Sequence, residues 1–275
     1  AVPVPRAGLG SRWESFEAWV GTRGSAITLF VLALAVFAVQ STVLPVQPGR
    51  DMGRYVQAYV QLSYEEPVLP SVLGTRGPLT ALGVSAPLEL GGVAAEVWLA
   101  LLYAASILAW GRVALTFGPR AAVLTSALLL VYPGYGIMFH GLASDALFAA
   151  SFAGWALLLT RAILKPSVSA FLLTGLGMGV LVLVRPANQA LVVLTLLPLV
   201  LRAPWERRLT WAAAGLFLFG ILVFVYFSAG LPSAKTLLAY QPPLPSNVRG
   251  HDGNPVQTCA RERRVELSFD EYPPL

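Results

Sequence analysis

Polar and apolar residues do not alternate along this chain as they do in a soluble helix or strand; they come in blocks. Seven stretches are apolar nearly throughout and are bounded by charged or Pro/Gly-rich segments: residues 25–44, 95–116, 121–139, 143–163, 166–184, 187–201 and 209–231. A helix needs roughly 20 apolar residues to cross a bilayer core of about 30 Å. Inside lipid the backbone polar groups must be satisfied within the segment, so a single span has to be helical. The pattern predicts an all-α membrane protein with about seven transmembrane helices. Arg112, at the end of the second span, can snorkel to the interface. Pro133 interrupts the third, and the short sixth opens on polar Asn188 and Gln189. The apolar core of the first span exceeds the ~7–15 residues of a signal peptide, so it reads as a true span.

The connections differ sharply in length. Residues 45–94 form one long loop. Within it, 52–62 has a helical face of Tyr55, Tyr59 and Leu62. Residues 78–94 read as an interfacial or re-entrant segment broken by Pro78, Pro87 and Gly91-Gly92. Residues 1–24 read as a tail. Residues 232–275, with Pro242-Pro243, Pro245, Gly250 and Gly253, read as a loop or small extramembrane element. The odd number of spans and the abrupt end read as a fragment, or as a protein that has lost its second half.

Composition narrows the function. Only 12% of residues are charged, against roughly 25% in soluble domains. Cys259 is the only cysteine and there are two histidines, which leaves no disulfide scaffold and no zinc cluster. The net charge of +5 has no basic groove with interleaved aromatics to suggest nucleic acid. It collects instead in short loops. Those after spans two, four and six hold Arg112 and Arg120, Arg161 and Lys165, and Arg202, Arg207 and Arg208; those after spans three and five hold Arg185 alone. The positive-inside rule then places the N-terminus in the cytoplasm and the long loop and C-terminal tail outside.

The costly residues left over gather on the outer side. Asp51 follows the first span in Pro48-Gly49-Arg50-Asp51-Met52-Gly53-Arg54-Tyr55. A carboxylate flanked by Arg50 and Arg54 can serve as general base beside a bound anion, and it can equally cap a helix. Glu65 and Glu66 are further acids able to hold a metal or an amine, or simply to be solvated. Arg76, where the chain re-enters the membrane, suits a phosphate. His140 and Asp145 either line a polar cavity with Asp51 or reflect a helix start at Ser144-Asp145. No Gly-x-Ser-x-Gly elbow accompanies them, which argues against hydrolysis. Arg185, in Arg185-Pro186-Ala187-Asn188, lies between two apolar runs on the disfavoured side. Such residues usually face a cavity or an anionic partner.

The order of these elements resembles the GT-C superfamily of integral-membrane glycosyltransferases, and most closely its bacterial members akin to protein O-mannosyltransferases and the aminoarabinose transferase. The resemblance rests on Gly49-Arg50-Asp51 with Tyr55 opening the first loop, and on Arg76-Gly77-Pro78-Leu79 returning it to the membrane. It also rests on Ser144-Asp145-Ala146-Leu147-Phe148 at a helix start, and on Gly175, Gly177 and Gly179 before Arg185-Pro186. It covers about residues 25–231. Where many relatives carry an acid before the basic Gly-Pro element, this chain has Val72-Leu73-Gly74-Thr75. The resemblance implies an integral protein of the bacterial plasma membrane. It would take a polyprenyl-phosphate-linked sugar, transfer it with inversion to a lipid, glycan or protein hydroxyl at the extracytoplasmic face, and touch no nucleic acid. Asp51 would act on the acceptor. Arg185, Arg76 and Arg54 would hold the carrier phosphate. Arg50, Tyr55, Glu65, Glu66, His140, Asp145 and Asn188 would line the cavity. No cofactor or resident metal is expected, although a divalent cation is compatible with the reading. The rival readings are a transporter or flippase of a lipid-linked or anionic substrate, and an inactive lipid-binding membrane subunit.

Overall fold

The computed structural model describes residues 9–64, 77–229, 246–249 and 255–259. The chain divides into two units, Ala1–Leu231 and Pro232–Leu275. The first is helical. In chain order it runs α1 (Leu9–Val20), α2 (Arg23–Val43), the two-residue strand β1 (Gln47–Pro48), α3 (Met52–Tyr64), α4 (Pro78–Glu89) and α5 (Gly92–Ala114). There follow α6 (Pro119–Val131), α7 (Pro133–Phe139), strand β2 (Gly141–Leu142), α8 (Ser144–Leu164) and α9 (Val168–Val184). A 3₁₀ helix (Pro186–Val200) and α10 (Trp205–Ala229) complete it. The described part of the second unit is an antiparallel pair, β3 (Ser246–Arg249) and β4 (Pro255–Cys259).

The seven predicted spans reappear as helical segments, with one qualification about length. Four are long and apolar enough to cross a membrane: Arg23–Val43, Gly92–Phe117, Ser144–Leu164 and Trp205–Phe224. The third predicted span is a pair of helices, α6 and α7, bent by 65°. The bend falls at Pro133, whose ring removes an amide donor and clashes with the preceding turn; Tyr132 before it is extended, at ψ 111°. The fifth and sixth are shorter, 17 and 15 residues. At ~1.5 Å per residue α9 reaches about 26 Å. The 3₁₀ helix, rising ~2.0 Å per residue, reaches about 30 Å. By length and composition the described residues hold four spanning helices, or five if the bent pair is one span.

The bundle presents apolar side chains outward as well as inward. Val39, Leu128, Phe217 and Phe224 are each at least 60% exposed, as a surface dissolved in lipid requires. Inward, the largest cluster joins α2, α5, α7 and α8 around Phe37, Tyr103, Ile107, Phe139 and Leu147. The Tyr103 and Phe139 rings meet edge to face at 5.4 Å, a favoured aromatic geometry. A second cluster packs Trp155 of α8 against Met178 and Leu181 of α9. A third stacks Phe171 of α9 on Trp211 of α10 at 5.6 Å.

Small residues let the helices approach. A Cβ on Gly175 of α9 would lie 2.0 Å from the Gly215 carbonyl oxygen of α10, and one on Gly179 would lie 2.4 Å from Leu222. This is the small-residue packing that serves membrane helices, where apolar surface alone gives no preference for protein over lipid. Gly91, at φ +114°, turns the chain from α4 into α5 in a conformation side chains resist. Of the segment read as interfacial or re-entrant, α4 is 12 residues long, or about 18 Å, too short to span. It is packed against the bundle, with Thr80, Ala81, Val84 and Ser85 buried.

Gly175→Val should separate α9 from α10 and destabilise the protein by about 1–3 kcal/mol, the usual cost of overpacking. Thermal unfolding in mild detergent reads this as a lowered midpoint, whereas Gly220→Val, where an added Cβ meets nothing within 4 Å, should leave it nearly unchanged.

Candidate active site at one end of the bundle

The motifs singled out in the sequence come together at one end of the bundle. Two backbone contacts bring them there. First, β1 pairs with β2 in parallel, Gln47 opposite Gly141 and Pro48 opposite Leu142. The Gln47 amide donates to the His140 carbonyl at 2.9 Å, and the Gly49 amide donates to the Leu142 carbonyl at 3.3 Å. A Cβ on Gly49 would lie 2.7 Å from the Leu142 oxygen and 2.8 Å from the Ala143 Cβ; only glycine permits that approach. Two residues beyond Gly49 stands Asp51, and two residues beyond Ala143 stands Asp145.

Second, the returning end of the long loop lies on the last turn of α9. A Cβ on Gly77 would lie 2.2 Å from the Val184 oxygen. The Thr80 hydroxyl donates to that oxygen at 2.6 Å, wholly buried. These bonds satisfy a carbonyl that the helix end would otherwise leave unpaired. The next residue is Arg185. Its Nη1 donates to the Asp145 Oδ1 at 2.9 Å, with the two side chains 44% and 50% exposed. Asp145 therefore does not cap α8: the N-cap residue is Ala143, without a side-chain hydrogen bond. Asp145 sits in the first turn, where a carboxylate suits the helix dipole, and spends its acceptor on arginine.

Asp51 occupies the position before α3, and its carbonyl accepts from the Arg54 and Tyr55 amides at 3.0 and 3.2 Å. Its side chain is half-buried; Arg50 and Arg54 are exposed. Tyr55 turns inward and is buried with Ala58 and Gln61 on one face of α3. The Tyr59 hydroxyl donates to the Glu89 carboxylate in a short hydrogen bond, which ties α3 to the end of α4. The Trp98 indole in turn donates to the Gly83 carbonyl at 2.9 Å, tying α4 to α5. Arg76, Glu65 and Glu66 lie outside the described residues.

His140 departs from its expected place. Its ring is buried and stacks on Phe37 at 4.3 Å and 11°, and neither ring nitrogen has a hydrogen-bond partner. It makes no hydrogen bond with Asp145; its contribution to the site is the backbone carbonyl that holds Gln47. Burial pushes the imidazole below its ordinary pKa, and the Glu96 carboxylate opposes that shift. Glu96, near the start of α5, went unremarked in the sequence because it stands one turn inside an otherwise apolar run. Asn188 lies in the first turn of the 3₁₀ helix, its amide donating to the Arg185 carbonyl at 2.9 Å while its buried side-chain nitrogen has no partner. Among the described residues no group of three or more His, Cys, Asp or Glu could hold a metal ion.

With this arrangement in view, the comparison with known families is informative. The family model of dolichyl-phosphate-mannose-protein mannosyltransferases matches residues 91–232, just over half of the chain. The chain belongs to that family. It is a membrane glycosyltransferase of the GT-C type, whose family uses polyprenyl-phosphate sugar donors. The match takes in Asp145, Arg185 and Asn188, and leaves the long loop with Asp51 and Gly77 outside. Among curated proteins and solved structures, none gives a significant match.

The Asp145–Arg185 pair should be worth little in stability, because both members are half-exposed. A double-mutant cycle with Asp145→Asn and Arg185→Gln, read by unfolding in detergent, should give a coupling of about 0.2–1 kcal/mol. A much larger coupling would mean that the pair is a structural strut.

Proposed function

We propose that the protein transfers a sugar from a polyprenyl phosphate to an acceptor hydroxyl at the extracytoplasmic face, with inversion. One observation carries the reading. In a chain of the mannosyltransferase family, the loop bearing Asp51 is held by backbone contacts against the segment leading to Asp145, and Asp145 is bonded to Arg185. The exterior assignment follows from the Arg- and Lys-rich connections at the opposite end.

In this reading Asp51 takes the proton of the acceptor hydroxyl as its oxygen attacks the anomeric carbon. The bond from that carbon to the phosphate oxygen breaks, and polyprenyl phosphate leaves with the bonding pair. Charge then grows on the phosphate, where a fixed cation contributes most. Arg185 is suited to this. One guanidinium nitrogen donates to Asp145, which holds the side chain at this end of the bundle and leaves further N–H groups to donate. Its 44% exposure leaves it open to a lipid phosphate arriving from the interface. Arg54 and Arg76 are assigned to the same phosphate, and Arg50 and Tyr55 to the setting of Asp51. A lipid carrier also suits a face where nucleotide sugars are not supplied.

Asp51→Asn should lower transfer of labelled sugar from polyprenyl-phosphate mannose to endogenous membrane acceptors by at least ~10²-fold, the lower range for a lost general base, while carrier binding stays. Arg185→Ala should weaken carrier binding as well as rate. Undiminished transfer by Asp51→Asn would remove that residue from the chemistry.

A further inference from the structure

The opposite end of the bundle carries a feature the transfer reaction does not use. Helix α1 precedes the first span and sets Trp13, Phe16 and Trp19 on one side, at the three-residue spacing of neighbours on a helix face. Their exposures are 44%, 37% and 41%, and adjacent rings lie 5.5 and 6.0 Å apart. Aromatic side chains of this kind settle at the membrane–water boundary. The helix is fastened rather than loose. Glu17 accepts from Arg120 of α6 at 2.9 Å, and that guanidinium lies 5.7 Å from the Trp13 ring centre. At its other end, Arg112 of α5 donates to the Gly21 and Thr22 carbonyls at 3.3 and 3.0 Å. Thr22 in turn caps α2 by accepting from the Ser25 amide at 3.2 Å.

Beneath the end of α1 lies a cavity of about 230 Å³ between α2, α5 and α6. Its floor is made of small residues, among them Ser25, Gly111, Ala122 and Ser126. Its walls are carbon, from Leu29, Leu32, Leu108, Val123 and Leu130. An apolar cavity gains nothing from water. Leu32 (49% exposed), Val123 and Phe16 are wall residues that also face outward, so the groove opens where acyl chains of the bilayer lie. Arg112 stands in its lining. Its two carbonyl bonds leave three further N–H donors.

We propose that this groove holds one anionic phospholipid of the leaflet in which α1 lies, an acyl chain in the cavity and the phosphate on Arg112. The inference rests on the protein being embedded in a membrane and stands independently of the transfer mechanism. The occupant follows from charge and shape together: a carbon-lined slot entered from the bilayer, with a fixed guanidinium at its mouth, matches an acyl chain joined to a phosphate. The bound lipid would also brace α1, because the same Arg112 holds the α1–α2 turn.

The test uses the full chain in mild detergent, with retained phosphatidylglycerol and phosphatidylcholine counted by native mass spectrometry. The expected result is one tightly held phosphatidylglycerol per chain, with phosphatidylcholine held at least ~10-fold more weakly, because its choline cation offsets the phosphate charge and is repelled by the Arg112 guanidinium. Ala127→Phe, which intrudes into the cavity lining, and Arg112→Gln should each reduce retention by a similar factor, while Arg112→Lys should keep most of it. A phosphatidylglycerol carrying a photoreactive group on its acyl chain gives a second readout, independent of the variants' folding: labelling should concentrate on residues 26–32 and 122–130. Equal retention of the two lipids, retention unchanged in both variants, or labelling spread over the outer surface would each overturn the proposal.

Discussion

The site end of this protein depends on two close approaches that glycine permits, one of them completed by the Thr80 hydroxyl. A long loop leaves the bundle after α2 and returns at α4, and nothing in its composition would fold it alone. It is fixed because Gly49 lies against Leu142 and Ala143, and Gly77 against Leu183 and Val184. Both contacts answer the same requirement. Helices leave carbonyls unpaired at their C-terminal ends, and here His140, after α7, accepts from the Gln47 amide and Val184, ending α9, accepts from the Thr80 hydroxyl, while the Leu142 carbonyl ahead of α8 accepts from the Gly49 amide. The described ends of the loop thus cap α7 and α9, helices it does not join. The motif residues are carried to one place because they flank the glycines that allow this.

That arrangement explains how the proposed site can draw on segments each too short to mean much. Asp51, Asp145 and Arg185 are separated by some 130 residues of chain, yet each stands within two residues of one of the two contacts. The ion pair between Asp145 and Arg185 adds orientation rather than stability, since half-exposed charges stabilise little. The family match over residues 91–232 covers the scaffold to which the loop is bound. The loop itself joins the site through geometry.

Much of this was legible in the sequence and some was not, for physical reasons. Apolar runs announce spans because lipid tolerates little else, so the helical segments fell where the runs predicted. Their number as full spans was less legible: composition does not reveal that Pro133 bends one span by 65° or that residues 186–200 wind as a 3₁₀ helix. Helix α1 was hidden in a segment read as a tail, although Trp13, Phe16 and Trp19 carry its spacing. Asp145 and Arg185 stood out in the sequence as separate charges, and the structure joins them in an ion pair that their separation of 40 residues did not reveal. For His140, the sequence did not reveal that its ring packs on Phe37 while its carbonyl accepts from Gln47. Gly49 and Gly77 stand in the sequence motifs only as neighbours of Asp51 and Arg76, and the structure shows them to be points of contact.

The central claim is that the long loop is pinned to the segment before α8, and it can be tested without knowing substrate or acceptor. With Cys259 replaced by serine, Gln47→Cys and Gly141→Cys place two thiols at paired strand positions. A short bifunctional thiol reagent applied to the protein in membranes should join them rapidly and nearly completely. The control pair Gln47→Cys and Ala203→Cys, at opposite ends of the bundle, should stay unjoined. Failure of the 47/141 pair to cross-link, or equal reaction of the control, would contradict the assembly described here and with it the proposed site.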